Sequence, residues 1–233
     1  MSGNTQHEKD LQWFVKAFAA ASQLESRLIP DVLDSKEHSV RKADFHIPVT
    51  RKHMDGLCKG SGYPEDVLVE TAFALTLSVW SADTKACFHS VLGDGPERPV
   101  FVEWAPGHNL GDILEKVSKQ KDGALKHCSC TFGEVAAELE LDRSVCLSGA
   151  FCPESSELPE GTDVLFCWGT DSVTVLYRSE HYSEDILRQF TDSLSACILS
   201  MEKAENAKDL AFATDRQLEE VEGFNPPPVG FVL

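Results

Sequence analysis

The chain has 233 residues, enough for one large domain or two small ones, and its 42% hydrophobic content supplies a sizeable core. A net charge of −17, from 21 basic against 38 acidic residues, excludes a nucleic-acid binder and argues against an anionic membrane surface. No apolar run approaches the roughly 20 residues that span a bilayer, and residues 1–10 lack the basic-then-apolar order of a signal peptide. The eight cysteines are therefore read in a reducing compartment. Cys87, Cys146, Cys167 and Cys197 sit in apolar stretches, as small hydrophobes do. These features predict a cytoplasmic protein.

Leu11, Phe14, Val15, Phe18, Ala21, Leu24 and Leu28 fall on one helical face, which predicts a helix over 11–29 ended by Pro30. Residues 31–42 are charged and read as a linker or loop. Phe45, Ile47 and Val49 alternate with polar residues, the pattern of a strand over 43–49. A short polar helix over 50–60 follows, ending in glycine. Pro64, Glu65 and Asp66 then open a helix over 65–81 that is apolar on nearly every side, as a core helix is.

Strands are expected over 86–92 and 99–104, around the turn Gly93-Asp94-Gly95-Pro96. Asn109 caps a helix to about Lys126, and Thr131 with Glu134 forms a capping box for a short helix through Leu139. Residues 144–152 read as a strand and 153–161 as an acidic loop. Runs at 164–168 and 172–177 flank Gly169-Thr170-Asp171, the pattern of a hairpin. Ser183 caps a helix to about Lys203, and Thr214 with Gln217 caps another that Gly223 is placed to end. Pro226-Pro227-Pro228 is stiff and extended, like a linker between domains. The fold class is α/β, a mixed α+β sheet flanked by long helices.

Candidate chemistry is sparse. His53-Met54-Asp55-Gly56 approaches the His-His-x-x-x-Asp-Gly motif of one acyltransferase superfamily, in which the His is the general base. The first His is absent and the gap is one residue, so His53 and Asp55 face different ways on a helix and read as a solvated helix start. His127-Cys128-Ser129-Cys130 lacks the second Cys pair of a zinc site and reads as structural. Gly60-Ser61-Gly62 is too short for a nucleophile elbow. No glycine pattern for phosphates is present, Phe166-Cys167-Trp168-Gly169 reads as strand and turn, and His181 as an exposed or capping side chain. No catalytic, cofactor or metal residue is assigned.

From Phe45 to Asn225 the chain resembles the C-terminal half of condensation domains of nonribosomal peptide synthetases, of the chloramphenicol acetyltransferase-like superfamily. Tyr63-Pro64-Glu65-Asp66-Val67-Leu68 through Leu77-Ser78-Val79-Trp80 is similar to the family's buried helix. The stretch from His127 to Val135 looks like its segment written h.d.Pfe.vv..L, followed by the pair Asp142-Arg143. Val173 to Tyr177, then Tyr182 to Phe190, resembles the closing strand and helix. Thr214 to Asn225 looks like the tail that precedes an adenylation domain, with Phe224-Asn225 for Trp-Asn. The stretch from Ser90 to Val102 is shorter than the family's, which carries a Gly-Arg pair there.

The resemblance implies a single lobe at 43–212, preceded by a helix and linker at 1–42 and followed by a connector at 213–233. The lobe that bears the catalytic histidine has no room in this chain. A noncatalytic module packed against an adjacent adenylation domain is then expected, with a carrier domain and a homodimer through an exposed lobe face as further possible partners. The alternative is an acyltransferase or condensation enzyme completed by a partner lobe, with His89, His108, His127 or His181 as the base. A third reading is a recruiter of carrier proteins, which the acidic charge of both partners disfavours.

Overall fold

The computed structural model describes residues 2–21, 28, 31, 38–91, 97–140, 145–148, 157–169 and 171–224. Seven helices and six strands are assigned among them: α1 Ser2–Phe18, β1 Val40–His46, α2 Arg51–Ser61, α3 Glu65–Trp80, β2 Lys85–Val91, β3 Arg98–Glu103, α4 Leu110–Lys126, α5 Phe132–Leu139, β4 Val145–Ser148, β5 Val164–Trp168, β6 Ser172–Arg178, α6 Glu184–Ser200 and α7 Asp215–Phe224. The strands form one mixed sheet in the order β1-β6-β5-β4-β2-β3. β4 runs parallel to β2 and β5, and the other pairs are antiparallel.

Helix α3 is the centre of the main core. Every residue from Asp66 to Ser78 is buried, which matches a sequence apolar on all sides. Phe73 makes edge contacts with Phe88, Phe166 and Phe190 at centroid distances of 4.7, 5.4 and 5.3 Å, joining helix, sheet and α6. Truncating such a ring to alanine costs about 3–5 kcal/mol. The even-numbered residues of β2 and β3, Ala86, Phe88, Val100 and Val102, enter this core. Odd-numbered Cys87 and Phe101 face the other side, where Phe14 and Phe18 of α1 meet Val135 and Leu139 of α5 in a second, smaller core. The strand period of two thus feeds two cores.

The caps at Asn109, Thr131, Ser183 and Thr214 fall where the sequence placed them, Thr50 is a further one, and Pro64 stands at the N-cap of α3 rather than in its first turn. The side chains of Thr50, Asn109, Thr131 and Ser183 each accept a backbone N–H at the start of α2, α4, α5 and α6. Thr131 with Glu134 and Thr214 with Gln217 close reciprocal boxes. Several boundaries differ, among them the ends of β1 at His46 and of α6 at Ser200. The first helix begins at Ser2 rather than 11 and gives way to a 3-10 turn at Ala19–Ala21. β1 starts at Val40, three residues inside the expected linker. Gly62, with φ of 78°, caps α2 instead of Gly60. α7 runs through Gly223 to Phe224. The turn at 93–96, the pair Asp142-Arg143, residues 149–156 and 225–233 lie outside the described residues.

Two residues between α1 and β1 are pinned, Leu28 of the stretch read as helix and Asp31 of the stretch read as linker. Tyr182 Oη donates to the Leu28 carbonyl at 2.8 Å, and the Ser183 N–H donates to Asp31 Oδ1 at 2.8 Å. Among the described residues no helix is long and apolar enough to cross a membrane.

Candidate functional site

The four histidines that could serve as a base are held at four separate places. His89 lies in the middle of β2, wholly buried, with its ring 4.1 Å from Phe132 and its Nδ1 3.7 Å from Glu97 Oε1. His108 closes a turn, its Nδ1 accepting the Ala105 N–H at 3.2 Å. His181 follows β6 with its side chain 40% exposed, as one of the two readings has it, and Nδ1 3.2 Å from Asp163 Oδ2. His127 sits at the C-terminal end of α4, its Nδ1 2.9 Å from Asp10 Oδ1.

The His127 site is the most elaborate. Trp13 stacks on the imidazole at 4.7 Å with an interplanar angle of 17°. Asp10, buried, also accepts from Ser129 Oγ at 2.5 Å, from the Ser129 N–H at 3.2 Å and from Gln6 Nε2 at 2.7 Å. The Ser129 hydroxyl first, then His127, the Ser129 N–H and Gln6 hold the Asp10 carboxyl down at about 2 against the opposing effect of burial. His7 adds a second tie, with Nδ1 3.0 Å from the Ser129 carbonyl and Nε2 3.2 Å from Glu134 Oε1. The segment from His127 to Cys130 is thus the dock for α1. Among the described residues no group of three His, Cys, Asp or Glu side chains could hold a metal ion.

The acyltransferase-like segment carries no such order. His53 is exposed on α2, and Asp55 lies 3.2 Å from Arg51 Nε on its own helix. Ser61 Oγ donates to the Leu57 carbonyl at 2.7 Å and finishes the helix. Burial pushes the Cys87 and Cys197 thiols up to about 12, so neither is a nucleophile at neutral pH.

Deeper in the lobe, Glu70 of α3 meets Arg98 of β3, Nη2 to Oε1 at 2.6 Å, and accepts from Ser90 Oγ. All three side chains are buried. This network ties α3 to the β2–β3 hairpin. A lone Glu inside the apolar run of α3 was its only trace in the sequence. Asp10 was hidden further, since its partners are over a hundred residues away.

The C-terminal end forms a joint. After α6 the chain crosses the start of α4 as a belt of backbone bonds: Leu110 N–H to Glu205 O at 3.0 Å, Ala207 N–H to His108 O at 2.9 Å and Lys208 N–H to Pro106 O at 2.9 Å. Ser200 Oγ accepts the Ala211 N–H at 2.9 Å, and Phe212 packs near Trp104 at 6.4 Å. α7 is tied back by Gln217 Nε2 donating to the Gln189 carbonyl at 3.3 Å, and its Leu218 is 52% exposed. Beside the belt, α2, α4 and the end of α6 enclose a groove of about 300 Å³ lined by Leu57, Tyr63, Leu68, Leu114 and Met201, with no histidine.

No protein-family model matches the chain, and no curated protein matches it. Solved structures do. The X-domain from teicoplanin biosynthesis, in complex with OxyB, is similar at 14% identity over 90% of this chain and 56% of that one, with a TM-score of 0.66. The first condensation domain of the CDA synthetase is similar at 14% identity over 90% and 54%, with a TM-score of 0.66. A four-domain nonribosomal peptide synthetase bound to AMP and glycine is similar at 13% identity over 89% of this chain and 20% of that one, with a TM-score of 0.66. The chain spans about half the length of the first two. At these identities the likeness is one of fold: the chain has the fold of about half of a condensation domain.

Proposed function

We propose that the chain is a condensation-type lobe of a nonribosomal peptide synthetase or synthetase-like enzyme, acting without chemistry of its own as a structural module for an adjacent adenylation domain. The dispersal of its histidines carries this reading. His89, His108, His127 and His181 each close a separate local contact; none lines the groove between α2, α4 and α6, and His108 alone edges a second cavity, at the start of α4 with Asn109, Asp112 and Lys116. The lobe is taken as 43–212 and the connector as 213–233, with α1 sharing the smaller core of the lobe through Phe14 and Phe18. The docking face is the joint, where α7 stands on a hydrogen-bonded belt and offers Leu218. A carrier domain would be a more distant partner. Among the described residues Cys58, Cys87, Cys128, Cys130 and Cys197 form no disulfide, which supports a reducing, cytoplasmic setting. Co-purification of the chain with an adenylation domain encoded beside it tests the reading, and loss of that complex in Leu218→Asp locates the joint.

One observation favours a second reading. Asp10 holds Nδ1 of His127, which is how a carboxylate orients a general base to act through Nε2. In that reading the chain is an acyltransferase completed by a partner lobe. A condensation assay with aminoacyl carriers decides it, since turnover abolished by His127→Ala requires the enzyme.

A further inference from the structure

The two edges of the sheet are built differently. At β3 the even-numbered residues face β2, as the Trp104 N–H donating to Thr84 O at 2.9 Å shows, so Pro99, Phe101 and Glu103 carry the outward backbone groups. Pro99 has no N–H to offer. Both groups of Phe101 are taken by one side chain of α4: its N–H donates to Gln120 Oε1 at 3.0 Å, and its carbonyl accepts from Gln120 Nε2 at 2.6 Å. This edge is closed to further strands.

The β1 edge has no such cover among the described residues. The Ser179 N–H donates to Ser39 O and the Ile47 N–H to Asp171 O, both at 2.9 Å, so the odd-numbered residues of β1 face β6. The backbone groups of Val40, Lys42, Asp44 and His46 therefore point away from the sheet, and all four residues are exposed. The strand is seven residues long, with no proline and an unbroken register against β6. That is a long edge to leave bare.

We propose that β1 is an interface between two copies of this chain, pairing antiparallel with β1 of the second copy about an axis through Ala43 to make one continuous sheet. The occupant follows from the residues themselves. In this register Lys42 stands directly opposite Asp44 of the partner subunit, and Asp44 opposite the partner's Lys42. Val40 stands opposite His46 of the partner subunit. All four outward residues then exchange backbone hydrogen bonds. A slip of two residues either way sets Lys42 against Lys42 or Asp44 against Asp44, which like-charge repulsion disfavours. Asp44 Oδ1 accepts from Thr174 Oγ1 at 2.5 Å, and Oδ2 is left for the lysine across the axis. The net charge of −17 opposes association at long range, but at physiological salt that repulsion is screened beyond about 8 Å while the contact pairs are not.

Sedimentation of the full chain over a range of concentrations tests this. A concentration-dependent dimer is expected. Lys42→Glu should weaken it about tenfold or more, because both contact pairs become repulsive. The double reversal Lys42→Glu with Asp44→Lys should restore it, and circular dichroism should report the same fold in all three chains. A monomer at every concentration overturns the proposal. So does a dimer indifferent to Lys42→Glu, or one that the double reversal leaves weak.

Discussion

Trp13 occupies space that only a glycine at position 123 leaves open. A Cβ on Gly123 would lie 2.1 Å from Trp13 Cζ2, well inside any real contact. Glycine inside a helix costs up to about 1 kcal/mol of stability, and at Gly123, in the last turn of α4, the packed indole offsets it.

Gly123→Ala therefore sets two effects against each other. Helix propensity favours alanine by about 1 kcal/mol. The rigid indole has to leave its seat on His127, and overpacking of this kind costs about 1–3 kcal/mol before lost contacts are added. The clash is expected to win. Urea unfolding should show a net loss of stability, and hydrogen exchange should rise in α1 first.

Asp10 makes stability depend on acid. Its folded value is about 2 and its ordinary value is near 4, so the stabilisation is fully present above pH 4 and is lost as the pH falls toward 2. Melting curves of the wild type and Asp10→Asn should therefore differ most at neutral pH and converge between pH 4 and pH 2. Parallel curves through that window would count against the hydrogen-bonded carboxylate.

Glu70 and Arg98 are both sealed in the core. Glu70→Ala strands a buried guanidinium and is expected to cost about 3–5 kcal/mol. Replacing both partners, as Glu70→Leu with Arg98→Met, should cost less than the single change. Chemical denaturation of the single and double variants measures the difference directly.

Thiol reactivity should follow burial. Cys128 is exposed, while Cys87 and Cys197 are buried with thiols pushed up to about 12. Alkylation of the native chain at pH 8 should mark Cys128 early and leave Cys87 and Cys197 untouched until denaturant is added. Mass mapping of the labelled peptides reads the order.

Helices were legible where caps and apolar periodicity coincide. α3 follows Pro64 with a run buried on every side, and α5 carries its own capping box. The first turns of α1 were not legible. Residues 2–10 are polar, and 5–9 mostly face solvent, so no stripe marks them until Leu11. The same reason hid the start of β1: Val40, Arg41 and Lys42 are all exposed on an edge, and alternation begins only at Ala43. The place of β4 between β2 and β5 is a tertiary fact with no local signal. Of the joint, the box at Thr214 and Gln217 was readable, whereas the belt depends on backbone groups that any sequence possesses. The bond from Asp10 to Ser129 joins segments that no spacing rule connects.

The proposed docking role is tested most directly by one melting experiment, with the chain mixed with a synthetase adenylation domain. At a partner concentration of about a hundred times Kd, binding adds about 2.7 kcal/mol, which raises Tm by roughly 5–10 °C for a chain of this size. The structural-module account predicts that rise, and its loss in Leu218→Asp. No shift at the highest partner concentration, together with condensation turnover abolished by His127→Ala, would contradict it.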